Sequence, residues 1–320
     1  MTVVDGVCPL MTDPEAWDLY IKGGVDIAAP TVANWETPDQ TRQLLEQWAR
    51  WTTEDSRLRA VTEPSHFDLF PESGKLGVII HFQNAAPLGD DLDNYRRFYD
   101  LGLRMVQLCY NFANRLGDGC LSREDGPLTS FGRQSIQEMN RLGIVVDLSH
   151  TGRRTTFDAM EVASAPPVFS HSNPGALCPH RRNIDDHQIK AVAELGGLVG
   201  VVTFPPLVKP GGKGGTVADL VNHIDYLVDL IGPDQVGLGL DFCETSPEFM
   251  AEMIGSGGWT VEDYPPDTDP RLLDLTSPTD IPNIRQELIR RGYPATAIEG
   301  ILGQNWINLF KNVWAGGTGS

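Results

Sequence analysis

The chain has 320 residues, 41% hydrophobic and 21% charged, which suits a folded protein with a sizeable core and excludes a minimal binding module or a disordered polymer. Its 43 acidic residues outnumber 25 basic ones, giving a formal charge of −18 and a pI near 4.7. That field repels phosphate backbones and anionic headgroups, so neither nucleic acid nor a membrane surface is an expected partner; only Arg181-Arg182 and Arg290-Arg291 approach a basic patch.

Five widely spaced cysteines, an odd number without a CxxC pair, fit a reducing compartment better than a disulfide framework. The first residues carry no basic leader and no apolar core region, and no apolar run is long enough to span a bilayer. A cytoplasmic location is the expectation.

In chain order, short apolar, β-branched runs predict eight strands at 3–6, 25–32, 76–82, 104–108, 144–148, 167–170, 198–203 and 236–240. Helical periodicity fills most of the intervals, at 92–101, 130–141, 155–164, 184–195 and 217–231. Glycines at 102, 143 and 196–197 end three of these helices, where a left-handed cap turns the chain into the next strand. Eight buried strands alternating with helices predict an α/β fold, a closed (β/α)8 TIM barrel forming one domain over residues 1–320. Residues 246–279, rich in Gly, Pro, Asp and Thr, read as a loop excursion over the barrel mouth, 281–313 as closing helices and 316–320 as a frayed tail.

Barrel active sites gather at the C-terminal strand ends. The fifth predicted strand runs into Asp147-Leu148-Ser149-His150 and the sixth into Phe169-Ser170-His171-Ser172. Histidines ending adjacent parallel strands would lie side by side, as half of a divalent-metal site. The eighth strand delivers Asp241 at its lip, as a metal ligand, a general base or a structural salt-bridge partner. Arg182 precedes a predicted helix, where it could clamp a substrate carboxylate or pair with Asp185 or Asp186.

The motifs Leu101-Gly102-Leu103-Arg104, Thr129-Ser130-Phe131-Gly132, Met139-Asn140-Arg141-Leu142-Gly143, Asp147-Leu148-Ser149-His150, Phe169-Ser170-His171-Ser172, Arg181-Arg182-Asn183, Gly239-Leu240-Asp241-Phe242 and Gly303-Gln304-Asn305 run in order along the chain. Together they resemble the membrane (renal) dipeptidase family, peptidase family M19 of the amidohydrolase superfamily. The resemblance implies a metal-dependent hydrolase barrel whose members bind two zinc ions, cleave dipeptides and are often homodimers. His150 and His171 match the two histidine ligands of the second zinc. Arg182 matches the arginine that holds the substrate carboxylate, Asp241 the aspartate that handles a proton, and Phe204 an aromatic lining the pocket.

The departures are as specific. Where the family carries Asp-Gly-His-Asn-Asp, this chain reads Asp5-Gly6-Val7-Cys8-Pro9, so the ligand positions Val7 and Pro9 hold no donor. The bridging glutamate falls on Gln83 and the carbonyl-polarising histidine on Tyr110. A binuclear site is not expected. A single Zn2+ or similar ion could still sit on His150 and His171, with Gln83 or Asp241 as third donor.

Three readings stay open at this point. One is a dipeptidase-like hydrolase of a small carboxylate-bearing amide, with Asp241, Tyr110 and His150 catalytic and Arg182, Tyr110 and Phe204 binding substrate. The second is a metal-independent lyase, isomerase or decarboxylase using the two histidines and Tyr110. The third is a non-catalytic binder of small carboxylates. His81 shares strand parity with Gln83, as a replacement ligand or a core histidine. Cys8, Cys109 and Cys243 fall near strand ends, as nucleophile candidates or buried apolar groups.

Overall fold

The computed structural model describes residues 1–317, so part of the tail expected at 316–320 lies outside the described residues. The chain runs β1 (Val4–Cys8), α1 (Trp17–Lys22), β2 (Ile27–Ala33), α2 (Pro38–Glu54), β3 (Leu58–Ala60), β4 (Leu76–Val78), β5 (Ile80–Phe82), α3 (Asp93–Asp100), β6 (Leu103–Gln107), α4 (Ser130–Leu142) and β7 (Val145–Asp147). It continues through α5 (Arg153–Val162), β8 (Val168–Phe169), α6 (Asp186–Glu194), β9 (Leu198–Val201), α7 (Pro205–Val208), α8 (Val217–Ile231) and β10 (Val236–Leu238). After the last strand come α9 (Pro247–Gly255), α10 (Pro282–Arg290), α11 (Ala295–Glu299) and α12 (Asn305–Gly316).

The strands pair in parallel in the order β10-β9-β8-β7-β6-β5-β2-β4-β3, with β1 also on β2. The seam between first and last strands is closed by the Asp241 N–H donating to Val7 O at 3.0 Å and the Leu240 N–H donating to Asp5 Oδ1 at 2.8 Å. The result is the TIM-type barrel, its strands buried inside a ring of helices. The run at 76–82 forms two short strands, because its first half pairs with β2 and β3 and its second with β2 and β6. Strand β3, a three-residue flank, was not visible as a periodic run in the sequence. The excursion at 246–279 differs from a simple loop: it contains α9, begun by Ser246 accepting from the Phe249 N–H.

Local chemistry sets the helix ends. Thr37 with Gln40, Asp185 with Gln188 and Thr216 with Asp219 form capping boxes that satisfy the first free N–H groups of α2, α6 and α8. Trp306 of α12 plugs the base of the seam, its indole N–H donating to Leu238 O at 2.8 Å. It fits only because Gly6 stands opposite: a Cβ there would lie 2.4 Å from the indole.

Candidate active site

Four elements bring the predicted residues to the C-terminal mouth: β5 carries Gln83 past its end, the β6–α4 loop Tyr110, β7 His150 and β8 His171. His150 Nε2 and His171 Nε2 lie 3.0 Å apart. Their other ring nitrogens fix where the protons sit. Asn111 donates its Nδ2–H to Gly258 O at 2.9 Å, which aims its Oδ1 at His150 Nδ1, 2.7 Å away. The acceptor Oδ1 requires the His150 proton on Nδ1. Ser170 donates its hydroxyl to Asp147 Oδ2 at 2.5 Å, so its Oγ must accept from His171 Nδ1 at 2.6 Å. Both Nε2 atoms then present lone pairs to one point.

Electrostatics keep the pair neutral. Burial, then the nearby Arg182 charge, hold both imidazoles well below the usual histidine range. Asp147 behaves oppositely: burial alone would raise its pKa, but His81, His171 and Ser170 outweigh that and keep it a carboxylate. His81 Nε2 lies 3.3 Å from Asp147 Oδ2, so His81 faces this carboxylate beneath the site and not the lone-pair point.

The backbone is strained here. Asn111, His150 and Asp241 have φ of 59°, 58° and 57°, and they are the only non-glycine residues with positive φ among the described residues. Three such conformations at one site show that the surrounding structure over-determines it.

Arg182 is 2% exposed and, among the described residues, forms no ion pair with a carboxylate. It donates to Ser172 Oγ at 2.9 Å and His171 O at 2.7 Å, while its Nε has no partner. The alternative pairing with Asp185 or Asp186 does not form: Asp185 binds Arg153 and Asp186 accepts from Tyr226. With His150, Arg182 lines a lateral cavity of about 250 Å3.

Tyr110 covers the other side of His150, stacked at 4.3 Å between ring centroids, and Trp259 Nε1 donates to its hydroxyl at 3.0 Å. Tyr110, Gln83, Asp241 and Cys243 line a larger mouth cavity of about 780 Å3. Gln83 Nε2 donates to Asp241 Oδ1 at 3.1 Å. Burial raises the Asp241 pKa to about 7, against the lowering effects of that bond and of Arg182.

Gln83 and Asp241, weighed as third metal donors, are bonded to each other through Gln83 Nε2. Two other expectations change. Phe204 lines a separate apolar cavity with Met250 and Ile254, not the mouth cavity, because α9 packs between the two. Burial pushes the thiols of Cys8, Cys109 and Cys243 up, Cys243 to about 12, so none is a thiolate near neutrality. Two functional residues escaped the sequence reading. Asn111 and Ser170 set the imidazole tautomers; Ser170 adjoins His171 in the chain, whereas Asn111 lies 39 residues from His150 and only the fold brings the two together.

The family's two-metal centre does not fit this donor set. Val7 and Pro9, which the resemblance sets at ligand positions, have no donor side chain, and Gln83, which it sets at the bridging position, is a neutral amide bonded to Asp241. One ion does fit the histidines: two Zn–N bonds at a tetrahedral angle separate the nitrogens by about 3.3 Å, close to the observed 3.0 Å.

Barrel, strand-end histidine pair and buried arginine together define a hydrolase barrel of the amidohydrolase type. The sequence profile of the membrane dipeptidase family, peptidase family M19, matches residues 16–259. The chain belongs to that family and is an M19 dipeptidase-like hydrolase. An amidohydrolase from Pseudomonas aeruginosa is 30% identical, superposes with a TM-score of 0.88 and shares 98% of this chain and 97% of its own. An uncharacterised protein from the pqqA 5' region of Klebsiella pneumoniae is 30% identical over 81% of this chain and 90% of that protein. The dipeptidase tcpJ of Claviceps purpurea is 31% identical over 75% of this chain, which spans 52% of that protein's length. No helix among the described residues is long and apolar enough to cross a membrane.

Proposed function

We propose that the protein hydrolyses a small amide or dipeptide bearing a carboxylate, with at most one divalent ion, zinc or similar, at His150 and His171. The observation that carries this reading is the convergence of two Nε2 lone pairs at 3.0 Å, each fixed by a partner on the opposite ring nitrogen. Neutral imidazoles 3.0 Å apart with facing lone pairs repel unless a cation lies between them. A bound divalent ion would polarise a carbonyl and acidify water there.

The other groups have distinct tasks. Arg182, a buried cation that no carboxylate contacts directly among the described residues, is matched by a substrate carboxylate. Asp241, with a pKa near 7, can take and return a proton. Tyr110 already accepts from Trp259, so its own hydroxyl hydrogen is free to donate to a developing oxyanion. The stacked rings of Tyr110 and His150 divide the two cavities, so a substrate touching both Arg182 and Asp241 requires Tyr110 to swing off the imidazole.

Metal analysis of protein purified without chelator, paired with assays on dipeptides and N-acyl amino acids, tests the reading. The expected result is one ion per chain, lost in His171→Ala, with hydrolysis abolished by chelation. Turnover of a small carboxylate that survives chelation, or ligand binding through Arg182 with no turnover, would overturn it.

A further inference from the structure

Asn111 fixes the His150 proton, and what fixes Asn111 lies outside the barrel. Its backbone is held locally: the Leu121 N–H donates to Asn111 O at 2.7 Å and the Cys120 N–H to His150 O at 2.8 Å. The side-chain amide can still turn about its own last bond, and the direction it faces decides the tautomer. As it stands, Nδ2–H meets Gly258 O at 2.9 Å and Oδ1 meets His150 Nδ1 at 2.7 Å. Turned over, Oδ1 would face Gly258 O, acceptor against acceptor, and Nδ2 would donate to His150 Nδ1, leaving the ring proton on Nε2. The Tyr264 hydroxyl, 3.3 Å from Oδ1, can donate to one orientation or accept from the other, so it selects neither. The selection falls to the Gly258 carbonyl, 147 residues along the chain.

That carbonyl belongs to a short segment of the mouth excursion, residues 258–264, which reaches three sides of the site. Its two aromatic residues, Trp259 and Tyr264, stack on each other at 4.5 Å with 12° between their planes. The Trp259 indole also donates to the Tyr110 hydroxyl at 3.0 Å. On the flank that carries Arg182, His180 Nδ1 accepts from the Arg182 N–H at 3.1 Å, so its Nε2 holds the proton and donates to Asp263 O at 2.8 Å. The segment is seated by this stack and these few bonds, and it contains no helix or strand. Elements held this lightly open well below the free energy of global unfolding.

We propose that residues 258–264 are a positioning lid, whose docking over the mouth makes the histidine pair competent to hold a metal. Seated, Gly258 O locks the Asn111 amide and keeps His150 Nε2 bare. Lifted, it releases the amide, which turns over, and the His150 proton passes through solvent from Nδ1 to Nε2, removing one of the two lone pairs. The inference rests on the reading of His150 and His171 as metal donors and adds a control to it. Docking and metal binding become linked, each favouring the other by the same factor. The Tyr110 swing that joins the two cavities breaks the Trp259 bond, so substrate entry and the lid share one latch.

Nitrogen-15 NMR of labelled histidine in metal-free protein at about pH 8, above the ordinary histidine range, reads the ring separately from hydrolysis. The parent should show His150 protonated on Nδ1 and bare on Nε2. Trp259→Ala combined with Tyr264→Ala removes the stack that seats the segment. Amide hydrogen exchange over 258–264 should then rise at least about tenfold, a proton should appear on His150 Nε2, and cobalt(II) affinity should fall by about tenfold or more. Adding Asn111→Asp to that variant supplies an acceptor that cannot become a donor. The Nδ1 proton and the cobalt affinity should return while exchange stays fast. His171, held by Ser170 and Asp147, should keep its tautomer throughout and so reports an intact barrel. Four results each overturn the proposal: a parent protonated on Nε2, exchange unchanged in the paired variant, fast exchange with His150 still bare at Nε2, or no recovery with Asn111→Asp. A parent with the expected tautomer that binds no cobalt refutes the proposed function alone.

Discussion

Replacing Asn111 with glycine isolates the residue that fixes the His150 tautomer. Glycine accepts φ of 59° without strain, so the perturbation is the lost side chain and not the backbone. Three groups lose a partner: the buried His150 Nδ1–H, bonded at 2.7 Å, the buried Tyr264 hydroxyl, bonded at 3.3 Å, and the half-buried Gly258 O, bonded at 2.9 Å. At about 1–3 kcal/mol for each unsatisfied group, offset in part by entering water, the fold should lose about 2–4 kcal/mol. The site should lose more than stability. With Nδ1 unpartnered the proton can move to Nε2, removing a lone pair from the metal point, and loss of such an outer bond weakens metal binding by about 10- to 100-fold. Asn111→Asp keeps the acceptor but not the donor to Gly258 O, so it should recover most of the metal affinity while staying destabilised. Cobalt(II) titration followed by visible absorption, with urea unfolding beside it, reads both effects. Cobalt binding by Asn111→Gly at parental strength, or an Asp variant no better than the Gly variant, refutes the tautomer argument.

Stability should depend on pH in two opposing ways. The folded Asp241 pKa of about 7 lies above the unfolded value of about 3.9, so its contribution is full below that value and lost as pH rises through 7. Asp241→Asn should therefore gain on the parent by about 2 kcal/mol at pH 8, and the gap should close near pH 4 in urea unfolding. His150 and His171 act the other way: their depressed pKa values make the neutral-pair stabilisation full above about 6.5 and lost as pH falls below it. For Arg182, N-acetylglycine at a hundredfold excess over its Kd should stabilise the parent by about 2.7 kcal/mol, and Arg182→Met should abolish the shift. In Gly239→Ala, the new Cβ would fall 1.8 Å from Ser170 O, and the barrel should lose about 3 kcal/mol or fail to close, as circular dichroism melting would show.

The barrel was legible because continuous apolar strands and capped, periodic helices are local properties. The eight runs, the Gly143 cap and the helices at 130–141 and 217–231 follow from composition over a few residues. Strand β3 was not, since three residues with one buried side chain carry no period. Helix α9 hid inside a stretch whose glycines and prolines read as loop.

The site divides along the same physical line. Sequence alone determined which side chains are present: His150, His171, Arg182 and Asp241 near strand ends, an amide at Gln83, and no donor side chain at Val7 or Pro9. Tertiary structure decided what those donors do. Only folding brings Gly258, 147 residues along the chain, to orient Asn111, pairs Gln83 with Asp241 across 158 residues, lays Tyr110 on His150, and sets Phe204 on the far side of α9. A residue's chemistry is fixed by its own atoms, but its protonation, tautomer and partner are set by neighbours that the chain order does not place beside it.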